Sequence, residues 1–456
     1  MKKEEIKMTF AGQDLSGMII TDEMTLFLDK IENTDECVFL TGKAGTGKSS
    51  LLRYLLSVAK KNTVVAAPTG VAAVNVGGIT LHSLFQLPFG PYIPNIDLMG
   101  CVHDALPAYR FSAEKIAVIK NMDLLVIDEV SMLRADVLDA INDVLCHVRH
   151  NPKPFGGVQV LFIGDLYQLP PVVGKADWKV LSMAYDTEFF FSAKVLNHVR
   201  LHMFSLSRVF RQSDDRFIGL LNDIREGQLS EPSFSLLNGM YRPDFELSGD
   251  HSDYIMLTSH NVQADRVNNA RLSELSGQEK TYMASVQGNF SGSSMPADME
   301  LILKVGARVM LLVNDNETHL YHNGSIGVIT GLKMRSVMVE LADSGVVIEV
   351  SPNKWINKTY KYDNKNRVML AEEIGSFKQL PLRLAWAVTI HKSQGLTFDK
   401  VVVDAEKAFS PGQVYVALSR ATGLEHLVLS SPIRPDSLTV NDKILKFFKD
   451  FRNRDA

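Results

Sequence analysis

Gly42-Lys43-Ala44-Gly45-Thr46-Gly47-Lys48-Ser49 satisfies the phosphate-loop pattern G-x-x-x-x-G-K-[ST] at every fixed position. It stands between the apolar run Cys37-Val38-Phe39-Leu40 and the helix-like Leu51-Leu52-Arg53-Tyr54-Leu55-Leu56. Strand, glycine loop and helix in that order is the context the motif requires, and it commits the chain around it to an α/β sheet with the loop at a strand's carboxyl end. Gly42, Gly45 and Gly47 let backbone N–H groups curl around phosphates, with favourable partial charge from the helix N-terminus. Lys48 supplies a cation at the β/γ-phosphates and Ser49 a hydroxyl ligand for Mg²⁺, while Ala44, Thr46 and Ser50 complete the nucleotide-contacting set. The competing reading, a chance glycine-rich turn, requires all these positions to agree by accident.

A chain of 456 residues predicts roughly three domains, and 46 % hydrophobic content is enough for packed cores. Cys37, Cys101 and Cys146 share no metal or C-x-x-C spacing, so no disulfide framework or zinc site is expected. No run of 18 apolar residues exists, and the start Met1-Lys2-Lys3-Glu4-Glu5 resembles neither a secretory signal nor a transit peptide. The expected location is cytoplasmic, with no membrane partner. A formal charge of −4 requires any nucleic-acid contact to come from a local groove.

Apolar runs at Thr63–Ala67, Leu124–Ile127, Val158–Ile163 and Met203–Leu206 suit parallel strands buried on both faces. Residues 1–200 read as one nucleotide-binding lobe. Gln86 to Pro94 interrupts it with three prolines and two aromatics, which predicts a small protruding insert over about 84–105. Residues 201–456 read as a second α/β lobe, its pattern starting near Phe210, with strands at Tyr254–Leu257, Arg383–Val388, Val401–Val403 and Leu427–Leu429. Within it, about 300–378 carries short alternating pieces at Val309–Val313, Ile326–Thr330, Val337–Leu341 and Val346–Val350 between turn signals, predicting a small β-barrel insert. The C-terminal Ile444, Leu445, Phe447, Phe448 and Phe451 have amphipathic helical spacing and are expected to pack on the second lobe.

Leu124 to Ile127 delivers Asp128 and Glu129 at a strand end. Asp128 would hold Mg²⁺ and Glu129 would polarise the attacking water, although an acidic pair there also suits the start of a helix. A second strand end, Phe162-Ile163-Gly164-Asp165-Leu166-Tyr167-Gln168, puts Gln168 where it could sense the γ-phosphate; the alternative is a proline-stiffened loop. Arg211 and Arg420 are candidates to neutralise the transferring phosphoryl group from the other lobe, although a lone arginine more often makes a surface ion pair.

The ordered set of Gly42–Ser49, Ala67-Pro68-Thr69-Gly70-Val71-Ala72-Ala73, Gly78 to Phe85, Ile127 to Leu133 and Gly164 to Pro171 closely resembles superfamily-one helicases, and within them the PIF-one (petite integration frequency) DNA helicases, which are related to RecD-like enzymes. Val209-Phe210-Arg211-Gln212, Asn323 to Gly327, Leu380 to Ala387, Thr389 to Thr397 and Tyr415 to Ala421 extend the likeness, and Phe217 through Gly227 resembles the family's signature stretch. The resemblance implies an α/β P-loop NTPase of two RecA-like parallel-sheet lobes, 1A and 2A, with a small 1B wedge insert in the first and an SH3-like 2B β-barrel in the second. It implies an ATP- and Mg²⁺-dependent DNA helicase moving 5′ to 3′ on single-stranded DNA and opening duplexes, with G-quadruplexes among its substrates. DNA repair, recombination and telomere maintenance are the associated processes. A monomer is expected, with a DNA-induced dimer as the alternative. Gly395 joins the nucleotide-contacting set.

Two departures stand out. Asp215-Arg216 lacks the proline usual after the signature's acidic residue, and no adenine-reading glutamine lies within Met18 to Asp35, Gln13 being further upstream.

For the DNA grip, Pro68, Thr69, Gly70, Thr80 and His82 are assigned on the first lobe and His391, Lys392 and Ser393 on the second, with Thr258 and Asn261 as further candidates. Small hydroxyls and backbone N–H groups suit phosphates without reading sequence. His82 and His391 could equally be structural. Phe85, Phe89 and Tyr92 either stack on bases or fill the insert's own core. Three other readings compete with the helicase: a DNA-stimulated translocase or loading factor without autonomous unwinding, a phosphoryl-transferring kinase, and a nucleotide-gated binding module.

Overall fold

The computed structural model describes residues 9–10, 13–14, 20–87, 90–94, 111–212, 214–247, 253–290, 295–315, 318, 320–363, 365–406, 408, 410 and 412–455. Two parallel sheets organise it. The first contains β1 (Cys37–Gly42), β2 (Thr63–Ala67), β3 (Ile79–Thr80), β4 (Leu124–Ile127), β5 (Gln159–Ile163) and β6 (Leu201–Leu206), in spatial order β3-β2-β4-β5-β1-β6. Every residue of β1, β4 and β5 is buried, as continuous apolar runs covered on both faces require. Because β6 pairs in parallel with β1 along its length, the first sheet runs past the boundary expected at residue 200.

The second sheet holds β7 (Ile255–Thr258), β8 (Ala387–Thr389), β9 (Val401–Asp404) and β10 (Leu427–Leu429), in the order β8-β7-β9-β10. The strand expected over Arg383–Val388 is divided. Leu382–Leu384 pairs antiparallel with Arg308–Leu311, and β8 pairs parallel with β7. A single apolar run thus serves two sheets, which periodicity cannot reveal.

Antiparallel strands occupy the interval between β7 and β8, beginning at Lys280–Met283, earlier than the expected 300. Five of them form one sheet. A long hairpin, Asn353–Asp363 with Val368–Gln379, extends to the first lobe, where the Tyr360 hydroxyl accepts from the Val65 N–H at 3.3 Å. Its outgoing strand, with Lys354, Lys358 and Lys361 among its residues and only Trp355 buried, carries no alternating apolar face to announce it.

Six helices matter for the site: α1 (Lys48–Val58), α2 (Ala135–Arg149), α3 (Asp215–Glu226), α4 (Asn261–Glu274), α5 (Gln413–Leu418) and α6 (Asp442–Asp455). The α6 stripe corrects an expectation, because it packs on the first lobe. Phe448 stacks on Tyr167 at 5.3 Å between ring centroids, and Phe447 stacks on Phe191 at 4.5 Å and meets Phe190 edge-on at 6.4 Å. Both also approach Phe39 of β1. Helical spacing predicts an apolar face but not its acceptor; here the aromatic side chains Phe39, Tyr167, Phe190 and Phe191 of the first lobe receive it. Phe85 and Tyr92 likewise lie in the main apolar core, 0 % and 7 % exposed, so neither offers a face to a base. Tyr92 donates its backbone N–H to Asp136 at 3.0 Å and its hydroxyl to Asp143, both on α2. Phe89 and most of the expected insert, 95–105, lie outside the described residues.

Replacing Phe448 by Ala removes a buried ring from this seam and is expected to cost roughly 3–5 kcal/mol. Urea denaturation measures it, and a loss below about 1 kcal/mol, the scale of a surface substitution, would rule out the docking.

Candidate active site and nucleic-acid interface

The site forms where the strand ends of the first sheet meet the second lobe. Gly47, at φ +85°, starts α1, and the loop before it closes on itself. Lys48 Nζ donates to the carbonyls of Gly42 (2.7 Å) and Lys43 (3.0 Å), and the buried Thr46 hydroxyl donates to Lys43 O at 2.9 Å. Ser49 is exposed on the first turn and Ser50 is half-buried beside it.

Second-lobe and linker segments hold this loop from two sides. On one, the Phe210 N–H donates to Gly45 O at 2.8 Å. Gly45 has φ +77°, and a Cβ there would stand 2.5 Å from Arg211 Cβ, so only glycine admits the contact. On the other, the Ala44 N–H donates to the Tyr415 hydroxyl at 3.3 Å.

Asp128 and Glu129 follow β4 as expected. Burial raises both carboxyls, Asp128 to about 6 and Glu129 to about 7, the second helped by the charge of Asp128 beside it. Glu129 has φ +53°, a left-handed conformation that costs a non-glycine residue about 1–3 kcal/mol. A cross-lobe bond accompanies it: Gln394 Nε2 donates to Glu129 Oε2 at 2.8 Å.

Gln168 donates through Nε2 to Asp165 Oδ2 at 3.4 Å, so the expected γ-phosphate sensor is tied to the carboxylate before it. The expected arginines lie in the same cleft but bond mostly to backbone oxygens. Arg211 donates to Ser419 O (3.2 Å) and Gly395 O (3.3 Å). Arg420, 1 % exposed, donates to Val416 O (2.9 Å), Leu396 O (3.3 Å), Ser393 O (3.4 Å) and Ser419 Oγ (2.8 Å). Burial, then the neighbouring Arg211 charge, works against its cationic form, while Glu129 and Asp165 favour it.

Sequence reasoning missed Gln394, Tyr415, Asp165, Arg225 and Phe210 as site residues. Each sits inside a motif already singled out, so the available signal was adjacency to a named residue. Phe210 is 48 % exposed, its ring 3.8 Å from where a Cβ on Gly47 would stand and 5.1 Å from the Arg208 guanidinium carbon. It presents an aromatic face beside the phosphate loop. Gln13 is described through its backbone alone, which pairs with Phe10.

The residues expected to grip DNA cluster at strand ends, as open α/β sheets dictate. Pro68, Thr69 and Gly70 follow β2, and Thr80 ends β3. Thr69 and Thr80 are helix N-caps whose hydroxyls accept from Ala72 N (3.2 Å) and Ser83 N (3.3 Å). His82 and His391 are half-buried, and burial lowers the basicity of each, so they favour neutral imidazoles near pH 7. Lys392 and Asn261 are exposed. Thr258 and Ser393 are corrections: both are fully buried, their hydroxyls donating to His260 O (3.1 Å) and Ile390 O (2.8 Å), so they shape the surface without presenting a group to it.

A raised Glu129 is protonated below about 7 and then cannot accept a proton from water. The kcat/KM for ATP, which reports the free enzyme's groups, is expected to fall as pH drops through about 7 and to level off above it. A profile flat from pH 6 to 8 would remove Glu129 from the base role.

Residues 20–234 match the family model for PIF1-like helicase and residues 384–428 that for the UvrD-like helicase C-terminal domain. The human ATP-dependent DNA helicase PIF1 is 33 % identical over 91 % of this chain, which spans 62 % of that protein's length. The crystal structure of Bacteroides sp Pif1 in complex with ADP-AlF4 is 40 % identical, covers 96 % of this chain and 98 % of its own, and superimposes with a TM-score of 0.87. The Bacteroides Pif1 structure bound to ssDNA has the same identity and coverage with a TM-score of 0.69. With the parallel sheets, the phosphate loop and the carboxylate pair at the end of β4 in their expected places, the chain belongs to the PIF1-like helicase family.

Proposed function

We propose that the protein is an ATP-dependent DNA helicase that moves 5′ to 3′ on single-stranded DNA and opens duplexes, with G-quadruplexes among its substrates. The observation that carries this reading is the cross-lobe contact at the nucleotide site: Gln394 reaches Glu129, Tyr415 reaches Ala44, and Arg211 packs on Gly45. Groups from two lobes meeting at one phosphate loop let nucleotide binding and hydrolysis change the lobes' separation, and so alternate two grips on a strand. The names of the relatives, and the ligands of the Bacteroides structures, support carrying the activity to this chain.

The donor chemistry fits Mg²⁺. Asp128 is a carboxylate whose burial a divalent cation would offset, and Ser49 offers a hydroxyl on the first turn of α1. Among the described residues no cluster of three His, Cys, Asp or Glu side chains suits a metal, so nucleotide phosphates would complete the coordination. An ion held by Asp128 and Ser49 would supply charge neutralisation at the phosphoryl group. Lys48 then exchanges its loop carbonyls for phosphate oxygens, Glu129 orients and deprotonates water, Gln168 senses the γ-phosphate, and Arg211 and Arg420 face the transferred group. Phe210 serves as a stacking platform for the base, a role suited to a chain lacking a glutamine within Met18 to Asp35.

Pro68, Thr69, Gly70, Thr80 and His82 face DNA from the first lobe and Asn261, His391 and Lys392 from the second. The 1B wedge and the SH3-like 2B barrel remain part of this reading, as do a monomeric motor, with a DNA-induced dimer as the alternative, and a cytoplasmic location. No helix among the described residues is long and apolar enough to cross a membrane.

The test is ATP turnover with and without single-stranded DNA, beside unwinding of matched 5′-tailed and 3′-tailed duplexes. Stimulated turnover with opening of the 5′-tailed duplex alone is expected. Stimulation without opening would replace the helicase by a translocase, and turnover indifferent to DNA would overturn both.

Lys48→Ala is expected to abolish turnover while single-stranded DNA binding persists. Arg420→Lys, which keeps the charge but loses the planar fork, is expected to slow hydrolysis by up to roughly 10³-fold with nucleotide affinity largely retained. Near-normal hydrolysis by that variant would demote Arg420 to a structural role.

A further inference from the structure

Asp165 is the centre of a buried hydrogen-bond network that joins three segments distant in sequence. Its Oδ2 accepts from the Tyr415 hydroxyl (3.4 Å) and from Gln168 Nε2 (3.4 Å). Its Oδ1 accepts from Arg225 Nη2 (3.1 Å) and Nε (3.3 Å), and from the Tyr167 N–H (3.3 Å). Arg225 belongs to α3, the helix formed by the signature stretch, and its guanidinium lies 4.2 Å over the Tyr167 ring. At the other end, the Tyr415 hydroxyl accepts the N–H of Ala44 in the phosphate loop.

All three side chains are at least nine-tenths buried: Asp165 1 %, Tyr415 4 % and Arg225 9 % exposed. A buried phenol, carboxylate and guanidinium persist together only when each satisfies the others, so loss of one leaves its neighbours unpaired. The backbone enforces the same junction. Gly412, at φ +80° before α5, would place a Cβ 2.5 Å from Gln168 O and 2.6 Å from Tyr167 O, so α5 rests directly on the segment that carries the γ-phosphate sensor.

We propose that Tyr415, Asp165 and Arg225 are positioning residues forming a relay between the phosphate loop, Gln168 and the signature helix. The Tyr415 hydroxyl donates to the carboxylate that anchors Gln168 and accepts from the loop amide, so the orientation of the sensor depends on where α5 of the second lobe lies. Arg225 holds the opposite edge of that carboxylate, so a displacement of either end moves Gln168. The inference deepens the ATP-hydrolysis reading given above and rests on it.

The test is Tyr415→Phe, which keeps the ring and deletes the hydroxyl, compared with Arg225→Met and the double variant. Turnover is measured at saturating ATP and single-stranded DNA, affinity with a fluorescent ADP analogue, and folding by thermal melting. Tyr415→Phe is expected to lower kcat by about tenfold while the ADP-analogue Kd changes by less than about threefold, because a sensor acting on the γ-phosphate is not read by a diphosphate. The double variant is expected to be about as slow as the slower single variant, the signature of groups acting as one unit.

Turnover by Tyr415→Phe near that of the unsubstituted protein, or effects of the two substitutions that multiply, would overturn the relay. A matched loss of ADP-analogue affinity and melting temperature would overturn it too, by reducing Tyr415 to a packing residue. If Tyr415→Phe loses its cooperative melt, Arg225→Lys carries the same comparison from the far end of the relay, with the same criteria. Absence of ATP turnover in the unsubstituted protein, with or without single-stranded DNA, would instead sink the hydrolysis reading, and the relay with it.

Discussion

The grip of other segments on the phosphate loop is the constraint on which the rest of the arrangement depends. A glycine-rich loop at a strand end is by itself a pliable anion cradle. Here the Gly45 carbonyl is held by Phe210, the Ala44 N–H by Tyr415, and both contacts come from segments far along the chain. Glycine makes the approach possible at Gly45 and at Gly412 because a single added carbon at either would enter occupied space. At the phosphate loop the two lobes therefore meet through backbone and short polar contacts, which have defined geometry.

Electrostatics follow from that closure. Burial in the cleft raises the carboxyls of Asp128 and Glu129, while Arg420 is buried against backbone carbonyls of its own lobe. Charges confined without full pairing favour an incoming group that completes them. A nucleotide carrying negative phosphates and a divalent cation has the composition to do so. Under the proposed function, Lys48 and the Arg211 and Arg420 guanidiniums would exchange their present carbonyl partners for phosphate oxygens.

Two aromatic and ribbon contacts add to the connection between lobes. Helix α6 sets Phe447 and Phe448 against Phe39, Tyr167, Phe190 and Phe191 of the first lobe, and the long hairpin sets Tyr360 against Val65. They tie the terminal helix and the long hairpin of the second half of the chain to the first lobe.

The strand-end placement of the candidate nucleotide motifs was legible in the sequence because such chemistry demands particular residues at particular offsets after buried strands. The phosphate loop, Asp128-Glu129 and Gln168 all fall at strand ends where the apolar runs stop. Partner choice was not legible. The spacing of Phe447 and Phe448 gives an apolar face but not its acceptor, Thr258 and Ser393 look like surface hydroxyls until the fold buries them, and the run at Arg383–Val388 gives no sign that two sheets share it. The local sequence determined the strands, the glycine loop and the placement of Asp128, Glu129 and Gln168 after buried strands, since these depend on periodicity and on side chains near in the chain. Only the tertiary structure decided that Tyr415 meets Ala44, that Gln394 meets Glu129 and that Asp165 joins Arg225, because those pairs are brought together by the packing of separate sheets and no local pattern encodes a distance between them.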